Sequence, residues 1–206
     1  FLVLMVGSII IKGTGAFGTT NVAIEVDLGP DYVDPANPAD ARFEKIVKDA
    51  LKLRFPDAIK RKDRRMLYGL VSNDMGFELE RFIEENPSAI GGKATVWFRA
   101  SDDFDALAKG AMDRTLPEDE RRLSDKEIAW IDDLTEQGAV ERTFNWSFFT
   151  NGDSREPELA GILSALVGSA LTLLVCFCIS FPVTILAAIY LEEFAPKNKI
   201  SDMVEV

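Results

Sequence analysis

Gly13, Gly15 and Gly18 spell G-x-G-x-x-G directly after an apolar run, and Asp34 stands about where an acidic residue would meet a ribose. That pattern holds a dinucleotide only when the glycine turn opens a helix, whose N-terminal N–H groups and dipole then face the pyrophosphate. The residues after Gly18, TTNVAIEVDL, alternate in polarity like a strand, so the glycines read as an exit from an apolar segment and no cofactor is expected. The acidic pairs Glu84/Glu85, Asp102/Asp103 and Asp132/Asp133 are sequence neighbours on expected helices and splay apart, which suits solvation better than paired acid–base work. The chain has no histidine, and with it lose their basis the commonest general base, the commonest metal ligand and the usual Ser/His and Cys/His pairs. Cys176 and Cys178 lie two apart inside an apolar run and point to nearly opposite sides of a helix, so they read as free thiols, with neither a disulfide nor a metal pair expected. Catalytic, cofactor-binding and metal-binding residues are therefore all absent from the expected set, and the chain is not read as an enzyme.

What the residues do support is a membrane segment. From Leu159 to Leu191 there is no charged side chain, although 28% of the 206 residues are charged. A hydrocarbon core about 30 Å thick needs roughly 20 apolar residues in a helix, and the run exceeds that, so tilt, a kink or an emergent end must absorb the surplus. Pro182 is the expected kink, because proline lacks an N–H and clashes with the carbonyl one turn back. Gly161, Ala165 and Ser169 recur every four residues, as do Ser164, Gly168 and Thr172. Small residues at this spacing let a second helix approach closely, which fits a bundle, though a single dimerising anchor uses the same device. The first eleven residues, FLVLMVGSIII, form an apolar run too short to span a bilayer. With no basic region before it and no A-x-A-like site before Lys12, it reads as the end of a first transmembrane helix; a signal-peptide remnant is the competing reading.

Between these segments the chain is charged and carries nearly all the acid. A net charge of −11 disfavours nucleic acid, phosphate and anionic lipid as partners of this part. Its pattern predicts a small α+β domain. Val22, Ile24, Val26 and Leu28 alternate on one face of a strand; a helix opened at Asn37-Pro38 carries Phe43, Ile46, Val47, Ala50 and Leu51; and a second helix covers Asp57 to Tyr68. The basic run Lys60, Arg61, Lys62, Arg64 and Arg65 is broken by Asp63 and reads as a solvated helix face or an anion patch. Ser72 is expected to cap a third helix with Phe77, Leu79, Phe82 and Ile83, Gly91-Gly92 to turn, and Ala94 to Arg99 to form a second strand. Ser101 caps a helix around Phe104, Leu107 and Ala108, and Ser124 with Glu127 forms a capping box for another, stopped at Gly138. Val140 to Phe149 reads as a third strand whose aromatics Trp146, Phe148 and Phe149 suit either an interfacial belt or plain core. Asn145-Trp146-Ser147 also fits the low-specificity glycosylation sequon.

The segments FFTNGDSREPELAGILSALVGS (Phe148 to Ser169) and FPVTILAAIYLEEFAPKN (Phe181 to Asn198) resemble the start of the permease core of the PstA family, membrane subunits of bacterial phosphate ABC importers. The Ala-Ala-Ile-Tyr-Leu-Glu-Glu block at Ala187 to Glu193 is the most distinctive part. The charged middle also looks like an extracytoplasmic domain inserted after the first helix in many members. Thr184 departs from the pattern, standing where relatives usually have glycine. The resemblance implies transmembrane α-helices of the binding-protein-dependent permease type with an inserted α+β domain. It divides the chain into the end of a first transmembrane helix (1–12), a periplasmic domain (13–158), a second transmembrane helix that begins the permease core (159–191) and a cytoplasmic connector (192–206). It also implies a multi-pass protein of the bacterial inner membrane, partnered by a second permease subunit, a cytoplasmic ATPase dimer, a periplasmic phosphate-binding protein and the lipid bilayer. The charge rule supports this orientation only faintly, with Lys197 and Lys199 inside against Lys12 and Arg155 outside. On this reading ATP is hydrolysed by a separate subunit, and further apolar spans follow Val206. A membrane-tethered sensor or interaction domain has the same layout and expects a soluble signalling module there instead.

Overall fold

A computed structural model describes residues 1–194, with residues 9–12, 191 and 194 described by backbone only. The connector expected at 192–206 lies outside the described residues from residue 195 onward. Among the described residues the chain is mixed α/β, with one three-stranded antiparallel sheet in the order β2-β1-β3. The centre is β1 (Gly18–Asp27), which pairs with β2 (Lys93–Arg99) along Asn21 to Asp27 and with β3 (Val140–Phe144) along Gly18 to Val22.

The alternation of β1 dictates what covers it. Thr20, Val22, Ile24 and Val26 point to one face and are buried, and with Val96 and Phe98 of β2 they form the floor of the core. On that floor lie α2 (Phe43–Arg54), α3 (Arg61–Tyr68), α4 (Met75–Glu85), α5 (Asp102–Ala108) and α6 (Asp125–Glu136). Each helix contributes its apolar stripe, as Phe43, Ile46, Val47, Ala50 and Leu51 do from α2, all buried at the expected 3.6-residue spacing. The expected capping box of α6 is present, Ser124 and Glu127 bonding each other's backbone N–H groups. Gly91 and Gly138 have φ of 93° and 69°, the left-handed region that a side chain disfavours, which is why glycine occupies the turn before β2 and the end of α6.

Several boundaries differ from the sequence reading. The helix expected to open at Asn37-Pro38 begins at Phe43; Pro38–Asp40 forms only a separate 3₁₀ turn. The helix expected from Asp57 begins at Arg61, because the Asp57 carboxylate accepts from Trp130 Nε1 and its carbonyl from Lys126 Nζ. Ser72 is buried and lies too early to cap α4, whose first turn follows Asp74; the Ser72 N–H donates to the Arg99 carbonyl instead. Phe77 of α4 is exposed and outside the core. Ser101 precedes α5, but its hydroxyl makes no capping bond.

Two apolar helices flank the domain. The first, α1 (Leu2–Gly13), passes through a 3₁₀ turn at Thr14–Phe17 into β1. Beyond that short 3₁₀ turn the chain enters a strand at Gly18, so no α-helix opens on the glycine motif, as the alternation of TTNVAIEVDL predicts. The other, reached after a short helix α7 (Ser147–Thr150), is α8 (Leu163–Ile189). This helix is long and apolar enough to cross a membrane, has no charged residue, and is exposed along its whole length. At 1.5 Å per residue its 27 residues reach about 40 Å, which covers a hydrocarbon core of about 30 Å and part of the headgroup region. It stays helical through Pro182 and widens into a π turn at Tyr190–Phe194, which starts within the Ala-Ala-Ile-Tyr-Leu-Glu-Glu block.

Candidate functional site

Where the domain meets α8, polar contacts between residues far apart in sequence join four elements. Expected to continue β3 to Phe149, the chain leaves the sheet after Phe144. Asn145 stops it: its Nδ2 donates to the Ala16 carbonyl, and its Oδ1 accepts from the Phe148 N–H and so starts α7. The Asn145 N–H also donates to the Phe17 carbonyl, which ties the exit of α1 to the approach to α8.

The last residues of α7 then grip the start of the apolar helix. Ile162 N donates to the Phe148 carbonyl at 2.8 Å, Gly161 N to Gly152 at 2.8 Å and Leu163 N to Asn151 at 3.2 Å. The side chain of Asn151 returns the contact by donating to the Leu159 carbonyl at 3.1 Å. Gly161 is where these strands of chain touch: a Cβ there would lie 2.3 Å from the Asn151 carbonyl oxygen and 2.9 Å from its Cα. This corrects the packing row read from the sequence. Leu159 belongs to a 3₁₀ turn and the helix begins at Leu163, so Gly161 precedes the helix and is glycine because the Asn151 backbone passes against it. Ala165 and Ser169, and Ser164 and Gly168, do lie on α8 and are exposed. Thr172 and Thr184 bond back to the carbonyls of Gly168 and Ser180, which hides both hydroxyls on an apolar helix.

Arg99, the last residue of β2, is the polar hub behind this joint. Its guanidinium donates to the Glu158 carbonyl at 2.9 Å and to Ser147 Oγ at 2.7 Å, and its backbone N–H donates to Glu78 Oε2 at 2.9 Å. Arg99 Nε and Glu158 Oε2 are buried without a hydrogen-bond partner among the described residues. One residue thus connects α4 through its backbone N–H, and α7 and the turn before α8 through its guanidinium, to β2. On the opposite side, Asp105 accepts from both the N–H and the hydroxyl of buried Thr20, and Lys109 donates to the Gly18 carbonyl at 2.6 Å while pairing with Asp105. Sequence reasoning singled out neither Arg99, Asp105 nor Asn151. The one available signal was that Arg99 ends ATVWFR on the face that should have been solvated.

Burial pushes the Glu78 carboxyl above its ordinary value; the Arg99 N–H and guanidinium pull it partly back. The folded state therefore binds this proton more tightly than the unfolded chain. The resulting stability is fully present below the unfolded value, near 4.3 for a glutamate, and is lost as pH rises through the folded one. Asp63, held down by Lys126, and Asp113, held down by the Thr115 N–H, act in the other direction, losing stability as pH falls. The difference between the wild type and Glu78→Gln isolates the first effect. Melting both from pH 3.5 to 7 is expected to show the wild type losing stability relative to the variant as pH rises; parallel profiles would refute the assignment.

Residues 1–118 match the family described as a domain of unknown function, DUF3333. The chain belongs to the DUF3333 family. No curated protein and no solved structure matches it. The DUF3333 match covers α1, β1, β2 and the first four helices of the domain, including Glu78, Arg99 and Asp105. The junction at 145–163 and α8 lie beyond it. Among the described residues no cluster of three or more His, Cys, Asp or Glu side chains is arranged to hold a metal ion.

Proposed function

We propose that this chain belongs to a transmembrane permease subunit of an ATP-driven phosphate importer, in which α8 begins the translocation bundle and the DUF3333 domain stands on the extracytoplasmic side. The observation that carries the reading is α8 itself: an uncharged span with all its side chains exposed, needing lipid and neighbouring helices to cover it. Its likeness to the permease core at 148–169 and 181–198 supplies the transport class. Ser164, Ala165, Gly168 and Ser169 leave shallow faces against which a helix of the same subunit or of a second permease subunit packs. A cytoplasmic ATPase dimer drives the cycle, and a periplasmic phosphate-binding protein delivers the anion. The acidic domain braces or docks that binding protein, and the hydrogen-bonded joint passes its position to α8.

Deleting Thr19 to Asn151 from the full protein is expected to abolish phosphate uptake in cells while the subunits still copurify. Unchanged uptake would remove the domain from transport, and a deletion of the whole gene that leaves phosphate uptake intact would remove the importer reading itself. One feature favours a second reading, a membrane-tethered interaction domain. β3 leaves the edge of β1 beyond Ala23 without a strand, beside a groove of about 710 Å³ lined by Glu25, Tyr32, Leu53, Arg54 and Trp97. Such an edge accepts an extended peptide, and under that reading uptake survives the deletion.

A further inference from the structure

We infer that Phe17, Phe144, Trp146, Phe148 and Phe149 form a platform that seats the domain on the headgroup region of the bilayer crossed by α8. The inference rests on reading α8 as a membrane span. Two stretches of chain far apart in sequence, at residue 17 and at 144–149, bring these rings into one cluster. Phe17 packs on Phe148 and Phe149 at 5.8 and 5.9 Å between ring centres, Phe144 on Trp146 at 4.9 Å, and Phe148 on Phe149 at 5.1 Å. The cluster is not core. Trp146 is 71% exposed, Phe144 49%, Phe17 43% and Phe149 38%, while the domain's core is filled by other residues. A contiguous aromatic patch on a domain with its own core marks a surface that something covers.

Position and charge select lipid as the cover. The Phe148 carbonyl accepts from Ile162, the residue before α8, and Phe17 lies four residues after the end of α1, so the rings stand level with the points where both apolar helices leave the domain. Tryptophan partitions to that depth, where an apolar ring meets a hydrated boundary, and phenylalanine serves on the apolar face of segments that lie in it. The stretches that carry the rings also have no charge of their own in an acidic domain, and the charged side chains that bond to them, Arg99 at Ser147 and Lys109 at Gly18, are cations. Residues 13–18 and 143–152 contain no Asp, Glu, Lys or Arg, in a chain of net charge −11. An anionic headgroup layer would repel most of the domain's surface, and the platform is where the domain can approach it. Attachment by apolar partition also predicts contact that survives high salt.

The test uses the full chain in lipid nanodiscs. Incorporating 5-fluorotryptophan gives three ¹⁹F signals, from Trp97, Trp130 and Trp146, and Trp146→Phe assigns the last without altering the core. A nitroxide near the lipid headgroup is expected to broaden the Trp146 signal roughly threefold or more beyond that of Trp97, as for a ring at the interface. A soluble gadolinium chelate should broaden Trp97 more than Trp146. A Trp146 signal that follows the chelate as Trp97 does would overturn the platform, and so would one shielded from both reagents, which would mean that protein covers it. A separate readout follows α8: protection of Cys176 and Cys178 from a membrane-impermeant maleimide keeps the span even if the platform fails. Reaction of both cysteines overturns the span and the platform together.

Discussion

An Arg99→Ala chain is expected to unfold its domain about 2–3 kcal/mol more easily than the wild type, the lower part of the range for losing charge-assisted bonds at a half-buried site. The guanidinium makes two such bonds, to the Glu158 carbonyl and to Ser147 Oγ. Alanine removes both and takes away one of the two cations, Arg99 and Arg81, that act against the burial of Glu78, while keeping the backbone N–H bond, so the Glu78 carboxyl should move further above its ordinary value. Arg99→Lys separates charge from geometry. Lysine keeps the positive charge near Glu78 but has no planar fork to reach two acceptors at once, so an intermediate loss is expected. Circular-dichroism melts in detergent measure the stability, and hydrogen exchange at the amides of α7 reports whether that helix loosens first. A change in Arg99→Ala within about 0.5 kcal/mol, the usual range for a surface substitution, would show that the hub does not hold the joint.

The parts of the fold legible in the sequence are those whose determinants are local. Alternation of Val22, Ile24 and Val26 can only be satisfied by a sheet with one covered face, and the Ser124/Glu127 box needs no information beyond four consecutive residues. The same holds for α8, where the missing charges are themselves the signal. The misplaced boundaries are those set by distant partners. Asp57 looks like the opening of a helix until Trp130, 73 residues on, takes its carboxylate. The strand VERTFNWSFF has β-forming residues to its end, yet Asn145 turns it because the Ala16 carbonyl, 129 residues earlier, accepts from its amide. Propensity does not see such bonds, and tertiary contact decides between two conformations of similar local cost.

The candidate joint was hidden for the same reason. Arg99 meets Ser147 and Glu158 across 48 and 59 residues, and Asp105 meets Thr20 across 85. Beyond the place of Arg99 at the end of a strand, nothing in their own neighbourhoods separates them from solvated charges. The aromatics at 146–149 were visible as residues with two possible environments, interface or core. Their exposure decides against core, and the bonds from Asn145 and Phe148 to both helix exits set their level. Bringing the exit of α1 and the start of α8 to one side gives the domain two neighbouring attachments. A tilt of the domain then reaches α8 through backbone hydrogen bonds at Gly161, Ile162 and Leu163, with no flexible linker between.

Gly161→Ala tests that rigid connection most directly. The added Cβ would lie 2.3 Å from a backbone oxygen and within 3 Å of two backbone carbons, none of which can rotate aside like a side-chain end. The Asn151 and Gly161 backbones must therefore separate, at the roughly 1–3 kcal/mol typical of forced overpacking. The amides of Gly161, Ile162 and Leu163 should then exchange about tenfold or more faster, since 1.4 kcal/mol of opening corresponds to a factor of ten. The lost bonds break contact between α7 and α8 without touching the core, so most of the domain should keep its protection. Gly168→Ala is the control on the same apolar segment: nothing lies within 4 Å of a Cβ there, and alanine in a helix interior gains about 0.5–1 kcal/mol over glycine. In the isolated chain it should leave the junction amides unchanged. Under the proposed importer reading, in which the Ser164/Gly168 face packs against a helix, it should also weaken copurification of a second permease subunit. Equal exchange in Gly161→Ala and wild type would mean that the domain and α8 are joined by slack chain, and the proposed transmission between them would fail with it.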